Sequence, residues 1–503
     1  MLFRPFDDGH TLVVALDEVD GIIGKNESSV YSNYRCLLRA LELLNYAASS
    51  QKSSFRCLVV LLSTSNRAAS IIPCRSASQR DRVTLYLNPI VIDFVFMDVV
   101  KPSLEGIHGE ERSALELFTY GRPLWASQWN YYRSSVKSVQ GLVEFAQSKL
   151  LGSRMRENEV ALFACRIGIG NIKKMLAENM VADNMATVVR VKGTSLLEVL
   201  YHPEPILCEA SALHTRNKPS LKTNIVKYVA GAITNDLLVT TDKGDRGEMA
   251  AAAALIYTMD YLRSNDEYNS VTNNMSRAIK AADFIKAMVG ERVEVDYSPL
   301  EGFTVNFTGV FRVLRFSKRT IAYAYEQNVA MLCPDVYPDV DLVVVMCKEV
   351  GHGRVYAPII FQIKNWEAKI GSKRASVFLN LLSSPTHTLR AEFNSELAVG
   401  VLFAVGVGGV DDVKQPVRHS SRVQQPVSSI NIAVGLDSGF KCLSNKLQSY
   451  DLKDALRDLA GEAEDEDVVK RLGYGKRGMI WVDEDSEKIG IQNTDDKRML
   501  LEK

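Results

Sequence analysis

The sequence predicts an α/β protein in three successive parts: a parallel-strand segment, a mainly helical middle and a second α/β segment. Three observations predict it. Two continuous apolar runs, Leu12–Leu16 and Cys57–Leu62, flank a helix-patterned stretch, and each stops abruptly in polar residues, as buried parallel strands do. Between about 103 and 290, apolar residues recur at three- and four-residue spacing, the period of a helix with one buried face. Beyond Tyr297 short strand-type runs return.

Taken in order, Leu12–Leu16 ends at Asp17-Glu18, and a helix is expected over Tyr31–Ser50, where Leu37, Leu38, Leu41, Leu43 and Leu44 make an apolar face. The strand Cys57–Leu62 ends at Ser63–Asn66, and Ile90–Val100 reads as a third strand. In the middle part the spacing predicts helices over Val136–Leu151, Asn171–Val189 and Glu248–Leu262, punctuated by Pro203 and Pro205. An amphipathic helix is expected over Phe303–Lys318, followed by strands at 329–333, 341–347 and 357–364. A helix with Leu379, Leu381 and Leu382 leads to strands at 397–405 and 429–435, separated by a Pro-, Ser-, Gln- and Arg-rich loop at 411–428. The expected boundaries are 1–102, 103–296 and 297–445. A peripheral charged tail is expected over 446–503, its 461–503 part holding 12 acids and 8 bases.

Composition narrows the class. The 503 residues carry 60 basic and 60 acidic side chains, and the hydrophobic fraction of 46% is enough to fill ordinary cores, which excludes a disordered or collagenous chain. The eight cysteines form no C-x-x-C pair, so neither a zinc module nor a disulfide framework is expected and a reducing compartment is. The longest apolar stretch, Leu397–Val410, has 14 residues, short of the roughly 20 that span a bilayer. The first residues carry two acids and no apolar core, unlike a signal peptide. The expected location is intracellular, and nuclear for a protein that acts on nucleic acid.

Asp17-Glu18 after an apolar strand has the form of a Walker B motif, in which one carboxylate holds Mg²⁺-bound water and the other orients the attacking water. Asn66, at the end of the next strand, stands where a sensor residue meets a γ-phosphate. The motif G-x-x-x-x-G-K-[S/T] is absent, and Gly24-Lys25-Asn26 lacks both its upstream glycine and its hydroxyl. This is a nucleotide site without its phosphate loop. ATP hydrolysis by the chain alone is not expected, and a partner chain could supply the missing loop.

The sharper pattern lies further on. Asp341 opens the strand-type run Leu342–Met346, and Ile359–Asn365 forms a second, with Gln362 and Lys364 two residues apart and therefore on one face. A hairpin brings Asp341 to them. An Asp with (Glu/Gln)-x-Lys is the constellation of restriction-type nucleases: Asp341 and Gln362 are the expected Mg²⁺ ligands, and Lys364 orients or deprotonates the water that attacks phosphorus. Gln in place of Glu removes one charge from the metal site. From Gly302 to Tyr325 there is no acid, while Arg312, Arg315 and Arg319 fall at i, i+3 and i+7. With Lys369, Lys373 and Arg374 they form an expected track for a DNA or other nucleic-acid backbone. His202, His214, His352 and His387 show no metal or triad spacing.

As a string of landmarks the chain resembles the Crinkler and retrotransposon-hot-spot-type proteins, a P-loop NTPase joined to a PD-(D/E)xK nuclease-like domain. The resemblance spans roughly 10–445: LVVALDEVD at 12–20, LLSTSNRAAS at 61–70, GRPLW at 121–125, MVADNMATVV at 180–189, YHPEPILCEAS at 201–211, GDRGEMAAAAALIYTMDYL at 244–262, DVDLVVVM at 339–346 and IIFQIKN at 359–365. It implies a truncated P-loop NTPase-type parallel sheet, a helical NTPase-associated region and a C-terminal restriction-endonuclease-like α/β domain. It also implies Asp17 and Glu18 as Walker B acids, Asn66 in the sensor region, and Asp341, Gln362 and Lys364 at the nuclease positions. The implied function is that of a metal-dependent endonuclease coupled to a degenerate NTPase module in an effector or mobile-element protein. The alternative is a non-catalytic nucleic-acid- or chromatin-binding module on the same fold. An acid from the first helix, common in such nucleases, is sought at Glu301 or Glu326.

Overall fold

The computed structural model describes residues 11–16, 40, 56–61, 107–118, 122–131, 139–152, 158–168, 172–192, 196–216, 218–235, 238, 243–264, 277–290, 295–313, 316–333, 339–351, 353–365, 375, 393, 395, 397–405, 428–436, 439–443, 452–461 and 480–481. They form a mixed α/β structure with eleven α-helices and a large mixed sheet curled into a half-barrel.

Strand β1 (Thr11–Leu16) lies parallel to β2 (Arg56–Leu61) in unbroken register, Thr11 opposite Arg56 and Leu16 opposite Leu61. The two apolar runs therefore pair as their composition predicts. Asp17, Glu18, Asn66 and the run Ile90–Val100 lie outside the described residues, as does the helix of Leu379, Leu381 and Leu382.

The middle part is helical: α1 (Gly109–Phe118), α2 (Pro123–Tyr131), α3 (Val139–Leu151), α4 (Asn158–Ala164), α5 (Lys174–Asp183), α6 (Pro205–Thr215), α7 (Pro219–Thr234) and α8 (Lys243–Ser264). Proline opens α2, α6 and α7, where its missing N–H costs nothing and its φ is already helical. The expected helix over Asn171–Val189 is cut back to α5. Short strands β3 (Ile172–Lys173), β4 (Thr187–Lys192) and β5 (Leu196–Leu200) pair antiparallel around it in the order β3-β5-β4. The Thr-Val-Val at 187–189 suits a pleated surface better than a helix.

The large sheet is built from β6 (Ile279–Lys280), β7 (Thr304–Val305), β8 (Gly309–Val313), β9 (Val329–Leu332), β10 (Leu342–Val350), β11 (Gly353–Lys364), β12 (Leu397–Ala404), β13 (Ser428–Gly435) and β14 (Ile480–Trp481). Its order is β13-β12-β11-β10-β9-β8-β14, with β7 joining β6 to the far half of β10. Strands β10 and β11 form an antiparallel hairpin closed by a two-residue turn, Val350 opposite Gly353. Gly351 has φ +59°, the left-handed conformation that a tight hairpin turn requires. On the other side β11, β12 and β13 run parallel.

The helix expected over Phe303–Lys318 is not there. Its place is taken by β7 and β8, with a helix, α10 (Lys318–Glu326), beginning only after Ser317, whose hydroxyl accepts from Thr320 N at 3.0 Å. Val310, Phe311 and Val313 are buried on both faces of the sheet, and pairing with β9 outweighs a helical spacing that was fortuitous. Arg312 is thereby in a strand and Arg319 in the first turn of α10, so the expected basic helix face does not exist.

Helix α8 carries five consecutive alanines, Ala250–Ala254, all buried. A helix apolar on every side belongs inside, and α8 packs against β8, β11, α9 (Ala281–Val289) and α11 (Leu452–Ala460). One core runs from Ala114 to Ala460 across the expected boundary at 296/297. A second, smaller cluster of Val343, Val345, Ile360, Ile321 and Ala324 fills the opposite face of the hairpin under α10. The described parts of the expected peripheral tail are packed instead: α11 buries Leu452, Leu456 and Leu459, and β14 pairs with β8. Among the described residues no helix is long and apolar enough to cross a membrane.

Candidate functional site

The open end of the β10–β11 hairpin is the corner to which the sequence points. Leu342 faces Phe361 across the pair, and Leu342, Val344, Ile359, Phe361 and Ile363 all contribute to the large core. Alternation then puts Asp341, Gln362 and Lys364 on the other face, in line with Val343 and Ile360 of the second cluster. The three expected residues share one face and one end. Asp341 is tied to this end by its backbone, whose N–H donates to Phe361 O at 2.9 Å and whose carbonyl accepts from Cys333 N at 3.0 Å. Its carboxylate Oδ2 accepts from Ile363 N at 2.6 Å, the backbone donor that lies between Gln362 and Lys364 in the strand. Lys364 is half-buried and closes β11, and Val405 N donates to its carbonyl at 3.0 Å.

Gln362 is 2% exposed, and its Oε1 is buried with no hydrogen-bond partner. Leaving a buried amide oxygen unpaired costs about 1–3 kcal/mol, so this atom has acceptor capacity to offer a ligand. The donors fit a hard divalent cation. A carboxylate and an amide carbonyl are oxygen ligands of the kind Mg²⁺ takes while keeping much of its water. Among the described residues no group of three or more His, Cys, Asp or Glu side chains gathers as a metal cage, so such a cation would rest on Asp341 and Gln362 with one carboxylate charge.

The helix expected over Glu248–Leu262 is present as α8, but its spacing gives no sign that its first expected residue meets this corner. Glu248, at the start of α8, reaches this corner, where its Oε2 accepts from Arg312 Nη2 at 3.3 Å. Arg312 Nη1 donates to Cys333 O at 3.2 Å. Burial, reinforced by the charges of Asp341 and Glu248, pushes the Cys333 thiol well above its ordinary range. The Arg312 guanidinium is thus held inside the fold and is not displayed for a phosphate backbone. Arg315, Lys369, Lys373 and Arg374 lie outside the described residues. Glu301 and Glu326 are at the other half of the hairpin: Lys348 Nζ donates to Glu301 O at 2.9 Å, and Glu326 pairs with Arg354 at 3.2 Å.

Helix α8 approaches the end of β11 closely. A Cβ on Gly247 would come within 2.7 Å of Asn365 Cβ, so only glycine fits there. Asn365 Nδ2 donates to Ala460 O at 2.6 Å, and Arg246 donates to Leu459 O at 2.9 Å and Asp458 O at 3.0 Å. These contacts cap the carbonyl end of α11 with side chains adjacent to Lys364 and Glu248.

Two more buried polar centres tie the landmark segments together. Glu204, fully buried, accepts from Arg122 Nε at 2.8 Å and Trp125 Nε1 at 2.7 Å, while Arg122 also donates to Met185 O. Residues from 121–125, 180–189 and 201–211 therefore meet around the Arg122–Glu204 pair. Arg166 binds Asp260 through two parallel bonds of 2.7 and 2.8 Å and donates to Thr308 O at 2.8 Å. Burial would raise the Asp260 carboxyl, but the Arg166 guanidinium outweighs it and holds the pKa at about 2. His202 is kept below its ordinary pKa by burial, and the His214 ring meets Gln147 Nε2 at 2.7 Å. Among the described residues neither meets an acid and nucleophile in a triad-like arrangement. Comparison with family models, with curated proteins and with solved structures finds no match to this chain.

Proposed function

We propose that the chain acts on nucleic acid as a phosphodiester hydrolase, with its reactive centre at the open end of the β10–β11 hairpin. The single observation that carries the reading is the buried, unpartnered Gln362 Oε1 on the same face and at the same end as Asp341 and Lys364. A bound Mg²⁺ would polarise the scissile phosphate and lower the pKa of a water. Asp341 and Gln362 would hold it, and Lys364 would orient the attacking water and balance charge on the phosphoryl oxygens. The antiparallel hairpin, continued by the parallel strands β12 and β13, supports a restriction-endonuclease-like assignment of this part within a Crinkler or retrotransposon-hot-spot-type chain. The parallel pair β1–β2 supports an NTPase-type sheet before it, degenerate without its phosphate loop.

The test is cleavage of plasmid and single-stranded DNA by the purified full chain with Mg²⁺ or Mn²⁺. Asp341→Ala and Lys364→Ala should each remove at least about 100-fold of the rate, and the double variant should be little worse, because both act on one transition state. DNA binding without metal-dependent cleavage would assign the chain instead to the non-catalytic binding class. Cleavage that survives both substitutions would place the chemistry elsewhere.

A further inference from the structure

Lys222, in the first turn of α7, is a cation that neither the hairpin site nor the core packing uses. It is only 8% exposed. Its ammonium stands 5.5 Å from the centre of the Tyr257 ring, and among the described residues it has no hydrogen bond or ion pair. The acid that acts on it, Asp260, already receives both arms of Arg166. Around it, Arg216 binds Glu209 at 2.7 Å, and Arg263 donates to Phe307 O and to Asn306 Oδ1. Among these described groups four cations, Arg166, Arg216, Lys222 and Arg263, face two acids, Glu209 and Asp260. Lys453, buried on the α11 side, adds its charge near Cys442, which also senses Lys222. The start of α7 contributes further positive character, with no side-chain cap and no acid in its first turn.

Desolvating an ammonium with no acceptor is expensive, and here burial together with Arg166 and Arg216 opposes its charge, while Asp260 and, after it, Cys442 favour it. A ring face offers a weak partner that donates no lone pair. An oxyanion would supply acceptor oxygens to Nζ and offset the surplus charge at once. We propose that Lys222 anchors a binding site for a small phosphate-like oxyanion at the N-terminal end of α7, between that helix and α8. The proposal is independent of the chemistry assigned to the hairpin.

Thermal unfolding of the full chain at pH 7, in rising inorganic phosphate against chloride of equal ionic strength, tests it. The wild-type midpoint should rise and saturate by several degrees, as for a ligand that binds only the folded state. Lys222→Met should begin at a higher midpoint in chloride and lose the phosphate response. Lys286→Met should keep that response, since Lys286 also lies over a tyrosine ring, that of Tyr297 at 5.1 Å, but is exposed. Adenosine monophosphate in place of phosphate distinguishes a nucleotide-borne group from the free anion, and saturation by either supports the site. If Lys222→Met does not fold, Lys222→Arg and direct calorimetric titration of the wild type with phosphate provide the same reading, with binding retained. A wild-type midpoint insensitive to both anions overturns the proposal. An equal phosphate response in Lys222→Met overturns it as well.

Discussion

The Arg166–Asp260 pair and the Asp341–Gln362–Lys364 group are polar centres built around the same helix α8 and the same sheet, yet they are finished differently. Asp260 has both oxygens engaged by one guanidinium, whose remaining Nε bonds Thr308 O. Two parallel charge-assisted bonds are among the strongest a protein makes, and they join the helices to the segment leading into β8. At the hairpin end the Asp341 carboxylate accepts from the Ile363 N–H, and the buried amide oxygen of Gln362 on the same face has no hydrogen-bond partner. A closed network gives rigidity, whereas an open one has capacity left for a ligand.

Breaking the closed centre should have the largest effect. Asp260→Ala leaves Arg166 buried without its counter-charge, and about 3–5 kcal/mol of stability should be lost in a denaturant titration. Asp341→Ala, at the open centre, should cost only about 1 kcal/mol by the same measurement. Equal losses would erase the distinction between the regions.

Acid should find the same asymmetry. The folded Asp260 carboxyl is depressed to about 2, so its contribution is present above the ordinary carboxylate pKa near 4 and is lost as pH falls from there toward 2. The pH dependence of the unfolding midpoint should steepen in that window, and the steepening should vanish in Asp260→Asn.

Arg312 sharpens the comparison further, because its spacing in the sequence suggested a nucleic-acid contact. Held by Glu248 and Cys333 O, it should behave as a structural residue: Arg312→Ala should lower stability by about 1–3 kcal/mol. The salt slope of DNA binding should stay unchanged, whereas a lost phosphate contact would reduce it by about one. The smallest effect is expected at Gln362. Gln362→Glu adds a charge beside the proposed cation and should tighten Mn²⁺ binding several-fold in a calorimetric titration, with little change in fold.

Much of the hairpin was legible in the sequence because its information is local. The strands near 341–347 and 357–364 extend to Leu342–Val350 and Gly353–Lys364, and two-residue periodicity alone places Gln362 and Lys364 on one face. The parallel pairing of β1 with β2 follows likewise from two continuous apolar runs. Partners distant in the chain could not be read. Glu248 meets Arg312 across 64 residues, Glu204 meets Arg122 across 82, and Arg246 meets Asp458 O across 212. Such contacts depend on how elements stack, which no local period encodes.

The sequence by itself therefore determined the α/β character, the hairpin and the identity of its three polar residues, since strand alternation and side-chain chemistry are properties of neighbouring positions. Only the tertiary structure decided that Thr304–Val305 and Gly309–Val313 pair as strands, because the free energy of completing a sheet exceeds the small intrinsic preference for a helix. It also decided which polar groups are satisfied and which are left open. Satisfaction is a property of three-dimensional packing, where a buried donor or acceptor either meets its partner within about 3 Å or bears the full cost of desolvation.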